Sequence, residues 1–200
     1  MKLLILGGYG AFGGRLAQLL SDCEALTMII AGRTARKAEA FCEAYQGDAS
    51  VIPLDLDRAD IVKALTVHKP DIVVDATGPF QAYGDKDETD PYLVPRACIA
   101  AKINYMDFAD GADFVFGINA LDAEAKAAGV TVLSGVSSFP VLSAAVLRRL
   151  GADMTITDIT AGVAPSAHAG IGLNVMKAII GYAGGPVKLT RGGEITEAKG

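Results

Sequence analysis

Three glycines near the start of the chain have the spacing of a phosphate-binding turn. Gly8, Gly10 and Gly13 form the pattern G-x-G-x-x-G, directly after the apolar run 3–6 and before a stretch with helical spacing. The first glycine of such a turn allows the tight bend, the second lets the backbone approach a pyrophosphate, and the third lets the helix pack on the strand. Free N–H groups at the helix start, with the helix dipole, bind the phosphates. The sequence therefore predicts a dinucleotide site, and a turn that serves packing alone is the alternative.

A second polar group follows the next apolar run, where the adenosine ribose of a bound dinucleotide would lie. NAD sites commonly place Asp or Glu there to bond the 2′-hydroxyl, but this chain has AGRT at 31–34. The Arg33 guanidinium suits a 2′-phosphate because its fork can form two bonds, and the Thr34 hydroxyl can help. These residues favour NADP over NAD. Alternatively, Arg33, Arg36 and Lys37 only form a solvated helix start.

The segment VVDATGPFQAYG, at 73–84, is the third candidate region. Gly78 and Pro79 would turn the chain at the carboxyl end of a parallel sheet, where ligands bind in such folds. The Tyr-x-x-x-Lys pair of short-chain dehydrogenases occurs nowhere in the chain, which excludes that class of oxidoreductase.

Hydride transfer is the chemistry of a nicotinamide cofactor, so the protein has to position the cofactor and handle one proton. The candidate groups for that proton are Tyr83, Tyr105, Asp107 and Asp110. Tyr83 lies in a loop at the expected edge of the sheet, and Asp107 ends an apolar strand at the same edge. Alternatively, Tyr83 packs on its own loop and either aspartate caps the next helix.

The scaffold for these residues is predicted by alternating apolar runs and amphipathic stretches. The predicted strands are 2–6, 26–31, 50–54, 71–75, 103–107 and 130–134, and the predicted helices are 11–21, 35–46, 58–68, 91–102, 114–128 and 140–150. Nearly all-apolar strands are buried on both faces, and their alternation with helices indicates a parallel sheet. The predicted fold class is α/β, with a Rossmann-type doubly wound parallel sheet in residues 1–150.

The pattern changes after Leu150. We predict a strand at 154–163, a small-residue loop, a helix at 173–183, and a polar glycine-rich end without a strand or helix. We interpret 151–200 as the start of a second α/β domain for substrate binding or dimerisation, inside which the chain ends. On this interpretation the chain binds the dinucleotide but turns over poorly, because the wall over the nicotinamide is incomplete. A second copy would cover the remaining apolar surface, so we expect a homodimer.

The composition narrows the possible partners and cofactors. With 18 basic and 23 acidic residues, the net charge of −5 disfavours nucleic acid and anionic membranes as partners. The 2 histidines and 3 cysteines lack metal-ligand spacing, so we expect no metal site and a cytoplasmic protein with reduced thiols. The uncharged stretch 127–147 contains serines and Pro140, which indicates a strand, loop and helix rather than a membrane span.

Five segments together resemble the saccharopine dehydrogenase NADP-binding family. They are GGYGAFGGR (7–15), AGR (31–33), GPFQAYG (78–84), ACIAAKINYMDFAD (97–110) and LSGVSSFP (133–140). The likeness is greatest to bacterial members with an extra C-terminal domain of unassigned function, which carry a segment like APSAHAGIGLNVMKAIIGYAG (164–184). The chain departs from the pattern at the acidic stretch 84–91, either a lid or a solvated insertion. The resemblance implies a Rossmann domain followed by an α/β domain that covers the nicotinamide.

The resemblance also implies a function and a set of site residues. It implies an NADP-dependent oxidoreductase with a small-molecule substrate. The bonds that such an enzyme reduces or oxidises are C–N bonds of amino-acid derivatives or, in some members, C=C or C–O bonds. An NADP-binding sensor or scaffold without turnover is the alternative. By this likeness the pyrophosphate is lined by Gly8, Tyr9, Gly10, Ala11, Phe12 and Gly13. Arg33 and Thr34 take the 2′-phosphate, and the nicotinamide ribose lies beside Thr77, Gly78, Pro79 and Phe80. Tyr83 and Asp107 point toward the substrate as the predicted catalytic residues.

Overall fold

A computed structural model gives the fold of the chain. The structure describes residues 1–56, 61–80, 90–160, 162, 168 and 172–199. Within these ranges, no helix has both the length and the apolar content that crossing a bilayer requires.

A parallel sheet lies at the centre of the molecule. Its strands are β1 (Lys2–Leu6), β2 (Thr27–Gly32), β3 (Ala49–Pro53), β4 (Ile72–Asp75), β5 (Asn104–Asp107) and β6 (Val132–Leu133). They are ordered β3-β2-β1-β4-β5-β6, and every neighbouring pair is parallel. The strand order reverses between β1 and β4, and ligands of such sheets bind at the carboxyl edge beside this reversal. The predicted Rossmann-type α/β class is confirmed.

Helices pack on both faces of the sheet. The helices of the described residues are α1 (Ala11–Leu19), α2 (Ala35–Ala44), α3 (Ile61–His68), α4 (Leu93–Ala101), α5 (Ala112–Gly117), α6 (Asp122–Ala128), α7 (Ser143–Leu150) and α8 (Leu173–Gly181). Of these, α7 contributes no buried residue. Successive side chains of β1 point to opposite faces of the sheet. Leu3 therefore packs in one apolar layer with Ala17 of α1, and Leu4 packs in the other with Leu65 of α3.

The single helix predicted at 114–128 is wrong, because the structure divides this stretch into two helices. A 3₁₀ turn at Ile118–Leu121 separates α5 from α6, and the break follows Gly117. A Cβ built on Gly117 would clash with the Tyr92 hydroxyl oxygen. Gly117 is a poor helix former, and its lack of a side chain leaves room for Tyr92.

The strand predicted at 154–163 is also wrong, since the described residues of this segment, 154–160 and 162, form no strand and are all exposed. Its alternating side chains favour an extended backbone, but a strand also requires a neighbour to pair with. The helix predicted at 173–183 is confirmed as α8.

A hairpin occupies the end of the chain, where no strand was expected. β7 (Pro186–Arg191) pairs antiparallel with β8 (Glu194–Lys199) across Gly192 and Gly193. Both glycines have positive φ, 59° and 84°, as the tight hairpin turn requires. The sequence signal for this hairpin was two runs of alternating apolar and polar residues on either side of Gly-Gly. The assignment of 151–200 to a partial second domain stays a prediction.

Candidate functional site

The glycine turn joins β1 to α1 at the carboxyl edge of the sheet. The N–H groups of Gly7 and Gly8 donate to the Ala31 carbonyl at 2.8 and 3.2 Å, which ties the turn to β2. A Cβ on Gly13 would lie 2.5 Å from the Gly7 carbonyl oxygen. A Cβ on Gly10 would meet one neighbour within 4 Å, the same oxygen at 3.0 Å. Gly13 is therefore required for packing, whereas the space in front of Gly10 is open for a ligand.

The first turn of α1 presents backbone donors at this open space. The N–H groups of Ala11, Phe12 and Gly13 have no acceptor among the residues that the structure describes. The first N–H groups of a helix lack partners within the helix and carry its positive partial charge. Together with the bare Gly10, they form a cradle that fits a pyrophosphate.

The end of β2 is linked to the glycine turn by Tyr9. Its ring lies so close to Gly32 that a Cβ on Gly32 would be 2.5 Å from the ring. Its hydroxyl oxygen accepts the N–H of Thr34 at 3.1 Å. Arg33 and Thr34 are exposed, and no ion pair of the described residues involves Arg33. The predicted pyrophosphate and ribose regions are thus brought together by one tyrosine.

The segment after β4 lies against the glycine turn. A Cβ on Gly7 would be 3.0 Å from the Ala76 carbonyl oxygen and 3.3 Å from the Thr77 Cα. Gly78 and Pro79 are half-buried beyond this contact, and Phe80 is buried against Phe114, with ring centroids 5.1 Å apart. The backbone that follows β4 therefore passes close to the backbone of the glycine turn, in the crevice between the ends of β1 and β4. Tyr83, the predicted catalytic tyrosine, lies outside the described residues.

Asp107 is buried and its carboxylate is held by four donors. Oδ1 accepts the N–H groups of Ala109 at 2.9 Å and Gly135 at 2.8 Å and the Ser134 hydroxyl at 2.9 Å, and Oδ2 accepts the Tyr105 hydroxyl at 3.0 Å. Burial raises the pKa of Asp107, and these hydrogen bonds oppose that rise. These hydrogen bonds join Asp107 to the loops that follow β5 and β6, and its predicted catalytic role stays a prediction.

Asp75 is a buried aspartate that the sequence analysis did not single out. Its Oδ1 accepts the Thr77 N–H at 2.9 Å and the Thr77 hydroxyl at 2.6 Å, while Oδ2 has no hydrogen-bond partner in the described part of the chain. Asp75 is the neighbour of Asp107 in the β4–β5 register. Burial raises the pKa of Asp75 to about 6, against the Thr77 bonds that lower it, and the Asp107 charge adds to the rise. The sequence signal for Asp75 was an aspartate at the end of the apolar run 72–74.

α8 crosses the same edge of the sheet. A Cβ on Gly172, which precedes α8, would lie 3.8 Å from the Ala11 Cβ at the start of α1. At the other end, the Tyr182 hydroxyl accepts the Ala112 N–H at 3.2 Å and donates to the Asp110 carbonyl at 3.4 Å. Ala178, between these ends, is buried. The helix therefore runs from the glycine turn to the end of β5.

Comparison with protein families finds a match for the part of the chain that carries this site. The model of the saccharopine dehydrogenase NADP-binding domain matches residues 3–133. The chain belongs to this family. The match contains the glycine turn, Arg33, Thr34, the segment 77–80 and Asp107, whereas α7, α8 and the hairpin lie beyond it. No curated protein sequence matches the chain.

Solved structures share the fold of this family member at low sequence identity. Apo saccharopine dehydrogenase (L-Glu forming) from Saccharomyces cerevisiae is 21% identical with a TM-score of 0.50, over 75% of this chain and 32% of that one. GenD2 from gentamicin A biosynthesis, in complex with NAD, is 20% identical with a TM-score of 0.53, over 76% and 39%. UDP-N-acetylglucosamine 3-dehydrogenase GnnA from Acidithiobacillus ferrooxidans is 18% identical with a TM-score of 0.51, over 76% and 42%. The match spans less than half the length of each of these proteins.

Proposed function

We propose that the chain binds NADP(H) and forms the cofactor-binding part of an oxidoreductase that transfers hydride to or from a small molecule. The observation that carries this proposal is the cradle of Ala11, Phe12 and Gly13 N–H groups beside the open Gly10. Membership of an NADP-binding domain family supports a nicotinamide dinucleotide as its ligand. The cofactor supplies the hydride when bound, and the chain's residues bind it and orient it.

The adenosine end of the cofactor would lie at the β2–α2 turn. Arg33 is exposed there without an ion-pair partner among the described residues, and Thr34 presents a hydroxyl beside it. A guanidinium can bind the 2′-phosphate of NADP through two charge-assisted hydrogen bonds. This turn therefore favours NADP over NAD.

Arg33→Ala is expected to abolish the preference for NADP over NAD. A hydrogen-bonded pair that involves charge contributes about 1.5–3 kcal/mol, so NADP affinity should fall about 10- to 100-fold, with little change for NAD. Titration calorimetry with both dinucleotides measures this. Arg149→Ala, which removes an exposed arginine of α7, is the matched control. An unchanged NADP preference in Arg33→Ala would assign the 2′-phosphate to other residues.

The nicotinamide end would lie at the β1–β4 crevice. The close contact of Gly7 with Ala76 and Thr77 supports this proposal, because the segment 77–80 continues directly from it. We propose that Thr77, Gly78, Pro79 and Phe80 line the nicotinamide ribose and that α8 contributes to the wall above it. Tyr83 is the proposed proton donor. Asp107 acts through the loops at Ala109 and Gly135 that it holds in place.

A dinucleotide sensor or scaffold without turnover is the second candidate. It is favoured by one observation: Asp75 and Asp107, the carboxylates at the ends of β4 and β5, are both fully buried. The two candidates differ in NADPH consumption. An oxidoreductase oxidises NADPH with some member of a panel of imines, enones and ketones, measured by the loss of nicotinamide absorbance. Binding without oxidation of NADPH by any member of the panel would favour the sensor.

A further inference from the structure

We propose that Tyr9 is a specificity-determining residue for the 2′-phosphate of the dinucleotide, an inference that rests on the proposed function. It acts in two ways. Its ring keeps an acidic side chain out of the end of β2, and its hydroxyl donates a hydrogen bond to the 2′-phosphate. Both actions follow from where the glycine turn places this side chain.

The first action follows from the contact between Tyr9 and Gly32. A Cβ on Gly32 would lie 2.5 Å from the ring Cε1 atom and 2.8 Å from the ring Cζ atom and the hydroxyl oxygen of Tyr9. Gly32 is the last residue of β2, close to the place where NAD-binding domains carry the acid that bonds the ribose 2′-hydroxyl. Because the ring fills the space of a side chain at Gly32, an acid at this position would have to displace the ring. The end of β2 at Gly32 therefore carries no carboxylate that would repel a 2′-phosphate.

The second action follows from the hydrogen bonding of the Tyr9 hydroxyl. The oxygen accepts the Thr34 N–H at 3.1 Å, so the turn that presents Arg33 and Thr34 is attached to Tyr9. A phenol can accept and donate at once, and the Tyr9 O–H has no acceptor among the described residues. The donor is therefore available at the end of β2, beside the exposed Arg33.

This arrangement suits a phosphate better than a hydroxyl. A 2′-phosphate offers charged acceptor oxygens, and hydrogen bonds to charged groups are about twice as strong as those between neutral groups. The 2′-hydroxyl of NAD is neutral and is usually bonded by an acceptor carboxylate, which Tyr9 does not supply. The Tyr9 hydroxyl thus strengthens NADP binding more than NAD binding.

Tyr9→Phe tests the hydroxyl while it keeps the ring over Gly32. We expect the affinity for NADP and for 2′,5′-ADP to fall about tenfold and that for NAD to stay within about twofold, since one charge-assisted hydrogen bond is lost. Titration calorimetry with these three ligands gives the ratios, and thermal melting checks the fold. Tyr45→Phe is the matched control, because the Tyr45 hydroxyl bonds a backbone carbonyl, that of Ala17, at 3.1 Å.

Gly32→Ala tests the ring contact independently. The added methyl group has to displace the Tyr9 ring, so this variant should also lose the NADP preference. The double variant with Tyr9→Phe should lose little more than either single one, because both changes act on one side chain.

An unchanged preference for NADP in a folded Tyr9→Phe variant overturns the inference and leaves the proposed function intact. Failure of the wild-type chain to bind NADP, NAD and 2′,5′-ADP overturns the proposed function and the inference with it.

Discussion

Gly10→Val is expected to abolish dinucleotide binding while the chain stays folded. The Cβ of a residue at this position would meet a single neighbour within 4 Å, the Gly7 carbonyl oxygen at 3.0 Å, so the valine would project into the space in front of the cradle. Gly10 precedes α1 with φ −76° and ψ 178°, an extended conformation that valine also adopts. We expect affinity for NADP to fall at least about a hundredfold, which corresponds to about 3 kcal/mol.

Gly13→Val provides the contrast within the same motif. A Cβ on Gly13 would lie 2.5 Å from the Gly7 carbonyl oxygen and 2.9 Å from the Gly8 Cα, so α1 has to move away from the turn. This variant should lose stability as well as binding, because a backbone clash in the core costs several kcal/mol.

Calorimetric titration with NADP, together with thermal melting of each variant, separates the two glycines. Normal NADP binding by a folded Gly10→Val variant would mean that the glycine turn serves packing alone. If Gly10→Val melts far below the wild type, Gly10→Ala makes the same test with a smaller side chain.

The sheet and the glycine turn were predictable because local sequence determines them. The run 3–6 is wholly apolar, and a strand buried on both faces is the structure that accommodates it next to a tight glycine turn. The hairpin of β7 and β8 was equally local, but the polar, glycine-rich composition of the segment concealed its alternation. The expected strand at 154–163 shows the opposite error, since alternation without a pairing partner leaves the segment exposed.

The contacts that define the site depend on residues far apart in the chain. Asp107 receives hydrogen bonds from Ser134 and Gly135, and Tyr9 bonds the backbone of Thr34. Sequence reasoning placed Asp107 at the correct edge of the sheet, but it gave no means of showing that four donors occupy its carboxylate. Tyr9 was predicted to line the pyrophosphate, and its contact with Gly32 emerges only when β1 and β2 lie side by side.

Asp75→Asn is expected to stabilise the chain near neutral pH and to leave its stability unchanged in acid. The buried carboxyl has its pKa raised from 3.8 to about 6, so the folded state binds this proton more tightly than the unfolded state does. The stabilisation from the proton is therefore complete below about pH 4 and is lost as the pH rises through about 6. Asparagine carries no charge and still offers an oxygen to the N–H and hydroxyl of Thr77.

The size of this effect follows from the rise in pKa. A shift of about two pKa units corresponds to about 2–3 kcal/mol of unfolding free energy at about pH 8, which raises the melting temperature by several degrees in a chain of this size. Chemical unfolding of both proteins across the range from about pH 4 to pH 8 measures it. Asp22→Asn, at an exposed position, is the matched control, because it removes a carboxylate and leaves the buried one in place.

The hydrogen bonds of the two buried carboxylates, Asp75 and Asp107, predict which of the two takes up a proton as the pH falls. Asp107 has donors on both oxygens, whereas Asp75 has an oxygen without a partner among the described residues, so Asp75 is the group that takes up the proton. Cys98 adds no charge near Asp75, because burial and the Asp75 carboxylate both raise the pKa of its thiol.

If the difference in stability between Asp75→Asn and the wild type is the same at every pH, Asp75 keeps one charge state over that range. Because the Thr77 bonds persist in Asp75→Asn, NADP affinity should not change, which separates stability from binding at this edge of the sheet.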